Sequence, residues 1–107
     1  MPRQITAFSN PLVKQVRALR EKKGRRREGL FIAEGLRILT EARECGRLPT
    51  ILFYAAGTSH PLLSALIDEV EAAGGEVIET IPDILHKLSG KDNAQTVLGV
   101  YPAFDTS

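Results

Sequence analysis

Basic side chains crowd the segment between residues 14 and 27, and their chemistry is the most distinctive feature of the 107-residue sequence. Guanidinium groups bind phosphate through two parallel hydrogen bonds and stack on nucleobases. A basic helix beside a flexible arginine-rich loop suits an irregular RNA surface, where shape and unpaired bases are recognised. The predicted RNA-binding residues are Asn10, Lys14, Arg17, Arg20, Lys22, Lys23, Arg25, Arg26 and Arg27.

The charge of the chain is divided unevenly along its length. Residues 1–47 contain 12 lysines and arginines against 5 glutamates, whereas residues 48–107 contain 2 lysines against 8 acidic residues. The formal net charge of +1 hides this asymmetry. Such a distribution favours a polyanionic partner for the N-terminal part of the chain.

Side chains suited to catalysis or metal binding form no recognisable constellation in the sequence. His60 and His86 lack ligand spacing, and Cys45 is the one cysteine. A single cysteine excludes an intramolecular disulfide and a multi-cysteine zinc site, and it fits a reducing, cytoplasmic setting. No glycine-rich phosphate loop follows a predicted strand, and no nucleophile is paired with a base. The sequence predicts neither catalytic residues nor a metal site.

The basic residues are predicted to lie on one helix and the loop that follows it. Asn10 before Pro11 is typical of a helix start, with Asn10 as its N-cap. Apolar residues then repeat on one face of the helix, and its cations on the other. Gly24 is expected to end this helix in a left-handed conformation. The run from Arg25 to Gly29 is expected to be a flexible charged loop.

Short apolar runs alternate with helical patterns along the rest of the chain. The predicted strands are Leu30–Ala33, Ile51–Tyr54, Glu76–Glu79 and Val97–Tyr101, and the predicted helices begin near Leu36, Pro61 and Thr80. A polar loop is predicted at Lys91–Gln95. This alternation favours an α/β sandwich with helices on both faces of a four-stranded, mainly parallel or mixed sheet.

The length fits one ordinary domain. We expect residues 1–9 to be a flexible lead-in, residues 10–101 to form the domain, and residues 102–107 to begin a linker to a further domain. No apolar run approaches the roughly 18 residues that a membrane-spanning helix needs, so no membrane partner is predicted.

Three segments in combination resemble the N-terminal substrate-binding domain of SpoU-type (TrmH family) RNA 2'-O-ribose methyltransferases. Ser9–Lys14, Leu19–Arg26 and Leu30–Gly35 contain the patterns N-P-x-V-K, L-R-x-K-K-x-R and F-x-x-E-G. Asp83–Ser89 and Gln95–Val100 resemble later parts of the same domain. The likeness spans about residues 5–101.

This resemblance implies a fold similar to ribosomal protein L30e, a three-layer α/β/α sandwich, and a role in recognising an RNA substrate. Ribosomal RNA is the expected substrate, ahead of transfer RNA. In this family, catalysis and S-adenosylmethionine belong to a C-terminal knotted SPOUT domain, which also makes the homodimer. The motifs of that domain are absent here, so the chain alone is not expected to be catalytic. Glu34 and Gly35 match a family signature.

Other function classes remain open. A stand-alone ribosomal-type protein that binds a kink-turn RNA has the same fold class, but its helix-opening Asn-Glu pair does not occur here. A protein-interaction or dimerisation domain would carry the same cations as a solvated surface. A complete small enzyme is disfavoured by the missing cofactor site. Measuring RNA binding at two salt concentrations distinguishes a protein-interaction domain from an RNA-binding domain.

Overall fold

Five strands and five α-helices lie along residues 3–90 and 96–102, which are the residues that the computed structural model describes. The elements are β1 (Arg3–Ile5), α1 (Pro11–Arg17), a 3₁₀ turn (Ala18–Arg20), α2 (Lys22–Glu28), β2 (Leu30–Glu34), α3 (Leu36–Glu44), β3 (Ile51–Ala55), α4 (Pro61–Ala72), β4 (Glu76–Thr80), α5 (Pro82–Ser89) and β5 (Val97–Pro102). None of the described helices has the length and apolar character that crossing a membrane requires.

The strands form one mixed sheet in the order β1-β4-β3-β5-β2. β4 runs parallel to β1 and β3, whereas β5 runs antiparallel to both β3 and β2. The predicted α/β class with a mixed sheet is confirmed, but the predicted number of four strands is wrong. The lead-in predicted to lack structure contributes the fifth strand, because Arg3–Ile5 pairs with β4 and the Thr80 hydroxyl donates to the Ile5 carbonyl at 2.6 Å.

Helices cover both faces of the sheet and create two cores. On one face, α1, the 3₁₀ turn and α5 bury Val16, Leu19 and Leu88 against strand residues such as Phe53. On the other face, α3 and α4 pack around Leu66. This arrangement confirms the predicted three-layer α/β/α sandwich.

The N-terminal helical region differs from its prediction. α1 ends at Arg17, the 3₁₀ turn follows, and Glu21 is extended with φ −103° and ψ 144° before α2 begins. The predicted loop over Arg25–Gly29 is wrong, because α2 runs through to Glu28. Gly24 lies buried inside α2 rather than ending a helix, and Gly29 takes the left-handed cap position with φ 68°.

β2 lies at one edge of the sheet, and all five of its residues are half-buried. Its residues alternate between the two faces: Leu30 and Ile32 pack against the α1–α5 core, and Phe31 packs against the α3–α4 core. The predicted polar loop at Lys91–Gln95 lies outside the described residues. Of the predicted linker, Pro102 is the last residue of β5, and residues 103–107 also lie outside the described part.

Candidate nucleic-acid interface

Asn10 acts as the N-cap of α1, as its position before Pro11 predicts. Its side-chain oxygen accepts a hydrogen bond from the Leu12 amide at 2.9 Å, and its carbonyl accepts from the Lys14 amide at 3.2 Å. The first of these bonds satisfies an amide that would otherwise lack a partner in the first turn, and the second is the first backbone hydrogen bond of the helix. Asn10 therefore lies at the opposite end of α1 from Arg17, away from most of the predicted RNA-binding residues.

A cation-lined cleft lies between α1 and α2. Its volume is about 410 Å³, and it is lined by Lys14, Arg17, Ala18, Glu21, Lys23, Gly24 and Arg27. We call it the basic cleft. Four of these seven residues are cationic and Glu21 alone is acidic, so the cleft carries a net positive charge. The four cations are exposed, which leaves their charged ends accessible to an anion from solvent.

Gly24 allows the two walls of the basic cleft to approach closely. A Cβ built on Gly24 would overlap the carbonyl oxygen of Ala18, so any other residue would push α2 away from the 3₁₀ turn. The sequence pattern gave no hint of this role, because it predicted Gly24 at a helix end. Gly24, Ala18 and Glu21 are the parts of the cleft that sequence reasoning missed.

Two of the predicted RNA-binding arginines are held by backbone carbonyls. One nitrogen of Arg25, Nη1, donates to the carbonyls of Leu19 and Arg20 at 3.1 and 3.0 Å. Arg20 Nη1 donates to the Lys87 carbonyl in the last turn of α5 at 3.2 Å, and its guanidinium lies against Gly90. Arg20 therefore turns toward α5 instead of continuing the row of Lys14 and Arg17.

Lys22 and Arg26 are exposed on α2, and neither lines the basic cleft. They are four residues apart on one helix, as are Lys23 and Arg27, so like charges face each other along two rows. The first turn of α2 contains two lysines and no acidic residue, so only the N-cap Glu21 places negative charge at its positive end. An anion bound to this helix would relieve both sources of repulsion.

A second, smaller hollow adjoins the end of α5. Its volume is about 230 Å³, and it is lined by Leu19, Arg20, Arg25, Ile32, Glu34, Leu88 and Ser89. We call it the arginine–glutamate hollow. Glu34 ends β2 on the same face as Ile32, which brings it to the hollow. Gly35 does not line the hollow; it is buried with φ 106°, and its amide donates to the Val97 carbonyl at 2.9 Å.

The charge asymmetry of the sequence is also a spatial one. α2 contacts β2, at one edge of the sheet, whereas β1 forms the other edge. Beside β1, Arg3 pairs with Glu76 at 3.6 Å, and Gln4 donates to Glu79 at 2.9 Å. Cations thus gather at the β2 edge and carboxylates at the β1 edge, so a polyanion is attracted to the first and repelled from the second.

The remaining candidate groups serve other purposes. His60 Nδ1 accepts from the Leu62 amide at 3.1 Å and caps α4, and Cys45 is an exposed free thiol. Within residues 3–90 and 96–102, no group of three or more histidine, cysteine, aspartate or glutamate side chains could hold a metal ion.

The fold and the basic cleft together define an α/β/α domain with a cationic surface at one sheet edge. Residues 10–99 match the family described as MRM3-like substrate binding domain, and the chain belongs to this family. No curated protein sequence matches the chain.

Solved structures agree with this assignment. An rRNA methyltransferase from Sinorhizobium meliloti superposes with a TM-score of 0.81 at 31% identity, over 92% of this chain and 36% of that one. The AdoMet-bound rRNA methyltransferase from the same organism superposes with a TM-score of 0.84 at 30% identity, over 97% of this chain and 38% of that one. An RNA 2'-O ribose methyltransferase superposes with a TM-score of 0.75 at 26% identity, over 97% of this chain and 39% of that one. The chain thus spans well under half the length of these relatives, and its resemblance to the substrate-binding domain of SpoU-type methyltransferases is confirmed.

Proposed function

We propose that this chain binds RNA through the basic cleft and the outer face of α2, and presents it to the catalytic domain of a 2'-O-ribose methyltransferase. The observation that carries the proposal is the basic cleft, in which Lys14, Arg17, Lys23 and Arg27 converge from two helices. Lysine and arginine ends at such a surface bind phosphate groups, which position an RNA without reading its sequence. Lys22 and Arg26 extend the same positive field along α2.

Ribosomal RNA is the proposed substrate, ahead of transfer RNA, because the similar protein from Sinorhizobium meliloti is an rRNA methyltransferase. The proposed partner within the protein is a C-terminal SPOUT domain, which would also form a homodimer, and the proposed location is the cytoplasm. Competition by ribosomal RNA fragments and by transfer RNA, at equal nucleotide concentration, tests the choice of substrate. Stronger competition by transfer RNA would reverse the proposed order.

S-adenosylmethionine, bound by one similar protein, does not fit the basic cleft of this chain. The cofactor carries a sulfonium cation, which the four cations of the cleft would repel. We therefore assign the cofactor to the proposed catalytic domain and no catalytic residue to this chain. Calorimetry of the 107-residue chain with S-adenosylmethionine should detect no saturable binding, and a micromolar dissociation constant would overturn this assignment.

The test of RNA binding is a salt titration. The chain is mixed with a fluorescent RNA hairpin that has an unpaired loop, and anisotropy is followed at several salt concentrations. Because each neutralised phosphate releases counterions, the logarithm of the affinity should fall linearly with the logarithm of the salt concentration. The double variant Lys23→Ala/Arg27→Ala should bind more weakly and reduce the slope by roughly 1 per lost contact.

Arg37→Ala is the matched control. Arg37 is an exposed arginine of α3, on the other face of the sheet, where its guanidinium pairs with Glu41 at 3.4 Å. Its removal lowers the net charge by one, as each of the single variants Lys23→Ala and Arg27→Ala does, but should leave the slope unchanged. Absence of RNA binding by the parent chain would favour a protein-interaction domain. Equal RNA affinity of the double variant and the parent would show that the basic cleft is not part of the RNA-binding site.

A further inference from the structure

The arginine–glutamate hollow differs in chemistry from the basic cleft beside it. The cleft cations are exposed, whereas the hollow combines half-buried Arg25 and Glu34 with apolar side chains such as Ile32. Phosphate binding needs positive charge and does not need an apolar wall or a carboxylate. A nucleobase can use both, because its faces are apolar and the donors on its edges can bond to a carboxylate.

The arginines of the hollow are fixed in place before any ligand arrives. Arg25 is tied to two carbonyls, and Arg20 to the Lys87 carbonyl, at distances of 3.0 to 3.2 Å. A guanidinium has five N–H donors, so each arginine retains donors that are not used in these bonds. A planar group that is already immobilised loses little entropy when a base stacks on it or accepts a hydrogen bond from it.

Glu34 selects the kind of base. A carboxylate accepts hydrogen bonds only, and its two oxygens match a pair of parallel N–H donors. Guanine is the RNA base whose Watson–Crick edge presents two adjacent donors, N1–H and the N2 amino group, while its O6 and N7 accept from arginine. A carboxylate has about four lone-pair positions, so Glu34 can accept from a base while it keeps a contact with a protein donor.

The hollow is also roomy and lies near the basic cleft. Its volume of about 230 Å³ equals that of several water molecules, each of about 30 Å³, and it opens to solvent. Arg20 and Arg25 belong to the segments that also form the basic cleft, so an RNA strand held by its phosphates in the cleft passes close to the hollow. Because phosphate contacts carry no sequence information, a substrate-binding domain needs a second kind of contact to select its site.

We propose that the arginine–glutamate hollow binds one unpaired guanine base of the RNA, with Glu34 accepting from N1–H and N2–H₂ and with Arg20 and Arg25 contacting the base face or its O6 edge. This inference rests on the proposed RNA-binding function. It makes Glu34, which the sequence singled out only by resemblance, the residue that determines base preference.

The test uses short oligouridines that carry a single guanosine, inosine, adenosine or cytidine at the centre. The 107-residue chain should bind the guanosine oligomer about tenfold more tightly than plain oligouridine, within the range expected for one good base contact. Inosine lacks the N2 amino group, so its oligomer should bind with intermediate affinity. Glu34→Gln, which keeps the shape of the side chain but replaces one acceptor by a donor, should bring the guanosine preference to about unity.

Lys23→Ala is the matched comparison, because it should weaken the binding of every oligomer and lower the salt slope while leaving the guanosine preference intact. Equal affinity for all oligomers, or a guanosine preference that survives Glu34→Gln, overturns the guanine site and leaves RNA binding standing. Failure of the parent chain to bind any oligomer would instead count against the proposed function itself. If Glu34→Gln does not fold, the comparison of inosine with guanosine on the parent chain still tests the guanine site. Equal affinity for the two oligomers would contradict the predicted contact between Glu34 and the N2 amino group.

Discussion

The α-carbon of Gly24 lies directly against the carbonyl oxygen of Ala18, and a methyl group at this position would overlap that oxygen. This contact joins α2 to the 3₁₀ turn and sets the spacing between the walls of the basic cleft. Gly24 is thus a structural requirement of the surface, although it contributes no charge to it.

Gly24→Ala should destabilise the chain by about 1–3 kcal/mol, the range typical of an overpacked contact. The gain of about 1 kcal/mol in helix propensity offsets part of this cost. Denaturant unfolding measures the stability, and RNA affinity should fall as the cleft opens. Gly29→Ala is the control: its φ of 68° strains an alanine, but there is open space around it, so stability should fall while RNA affinity of the folded chain is retained.

Lys22→Glu should stabilise the folded chain and weaken RNA binding. Lys22 is the first residue of α2, where negative charge is favoured by about 0.3–1 kcal/mol at low salt. The change also replaces a repulsive pair with Arg26 by an attractive one, worth about 0.2–0.5 kcal/mol. The gain, measured by thermal or denaturant unfolding, should shrink at high salt. Lower stability at low salt would contradict this account of α2.

Arg25→Ala should lower the free energy of unfolding by about 1–2 kcal/mol, because the variant loses the hydrogen bonds to the Leu19 and Arg20 carbonyls at a half-exposed site. Arg26→Ala, at an exposed neighbour, should change stability by less than about 0.5 kcal/mol. Amide hydrogen exchange gives a local measurement. The Gly29 amide, which donates to the Arg25 carbonyl at 2.8 Å, should be protected in the parent and exchange faster in Arg25→Ala.

The two buried tyrosines should respond to substitution in opposite ways, although burial raises the pKa of both. Burial raises the pKa of Tyr101 to about 12, and its hydroxyl has no hydrogen-bond partner among residues 3–90 and 96–102. Between about pH 10 and 12 the unfolded chain has released this proton while the folded chain retains it, so stability falls as the pH rises through this window. Tyr101→Phe should abolish this loss of stability at alkaline pH and increase the free energy of unfolding by about 1 kcal/mol at neutral pH.

Tyr54→Phe is the comparison. Burial, followed by the hydrogen bond to Glu79 and its negative charge, raises the pKa of Tyr54. Its hydroxyl donates to Glu79 Oε2 at 3.1 Å, so its removal should cost about 1 kcal/mol at neutral pH. Unfolding curves at neutral and alkaline pH distinguish the two variants. Equal effects of the two substitutions would show that hydroxyl satisfaction does not govern either site.

Local signals in the sequence were sufficient for most elements. Asn10 before Pro11 fixed the start of α1, and the apolar runs located β2, β3, β4 and β5 to within one residue at their ends. The types and spacing of the cations identified the RNA-binding candidates. These features are local, because an N-cap bond and a buried apolar run depend on residues close together in the chain.

Contacts between distant residues decided the rest. β1 has too few residues to show a period, and it exists because β4 and Thr80 supply its hydrogen bonds. α2 contains like charges that favour a loop on local grounds, yet Gly24 packs on Ala18 and Arg25 binds carbonyls of the preceding turn. Tertiary packing overrides weak local preference in both places.

The same distinction separates the site residues. The sequence determined that residues 14–27 are cationic, and therefore that they attract a polyanion. Only the tertiary structure assigned these cations to two different sites. Lys23 and Arg27 line the open basic cleft, whereas Arg25 is immobilised beside Glu34 in the arginine–glutamate hollow. The charge of a side chain is a property of the residue itself, but whether its donors are free or bound depends on which carbonyls the fold brings within about 3 Å.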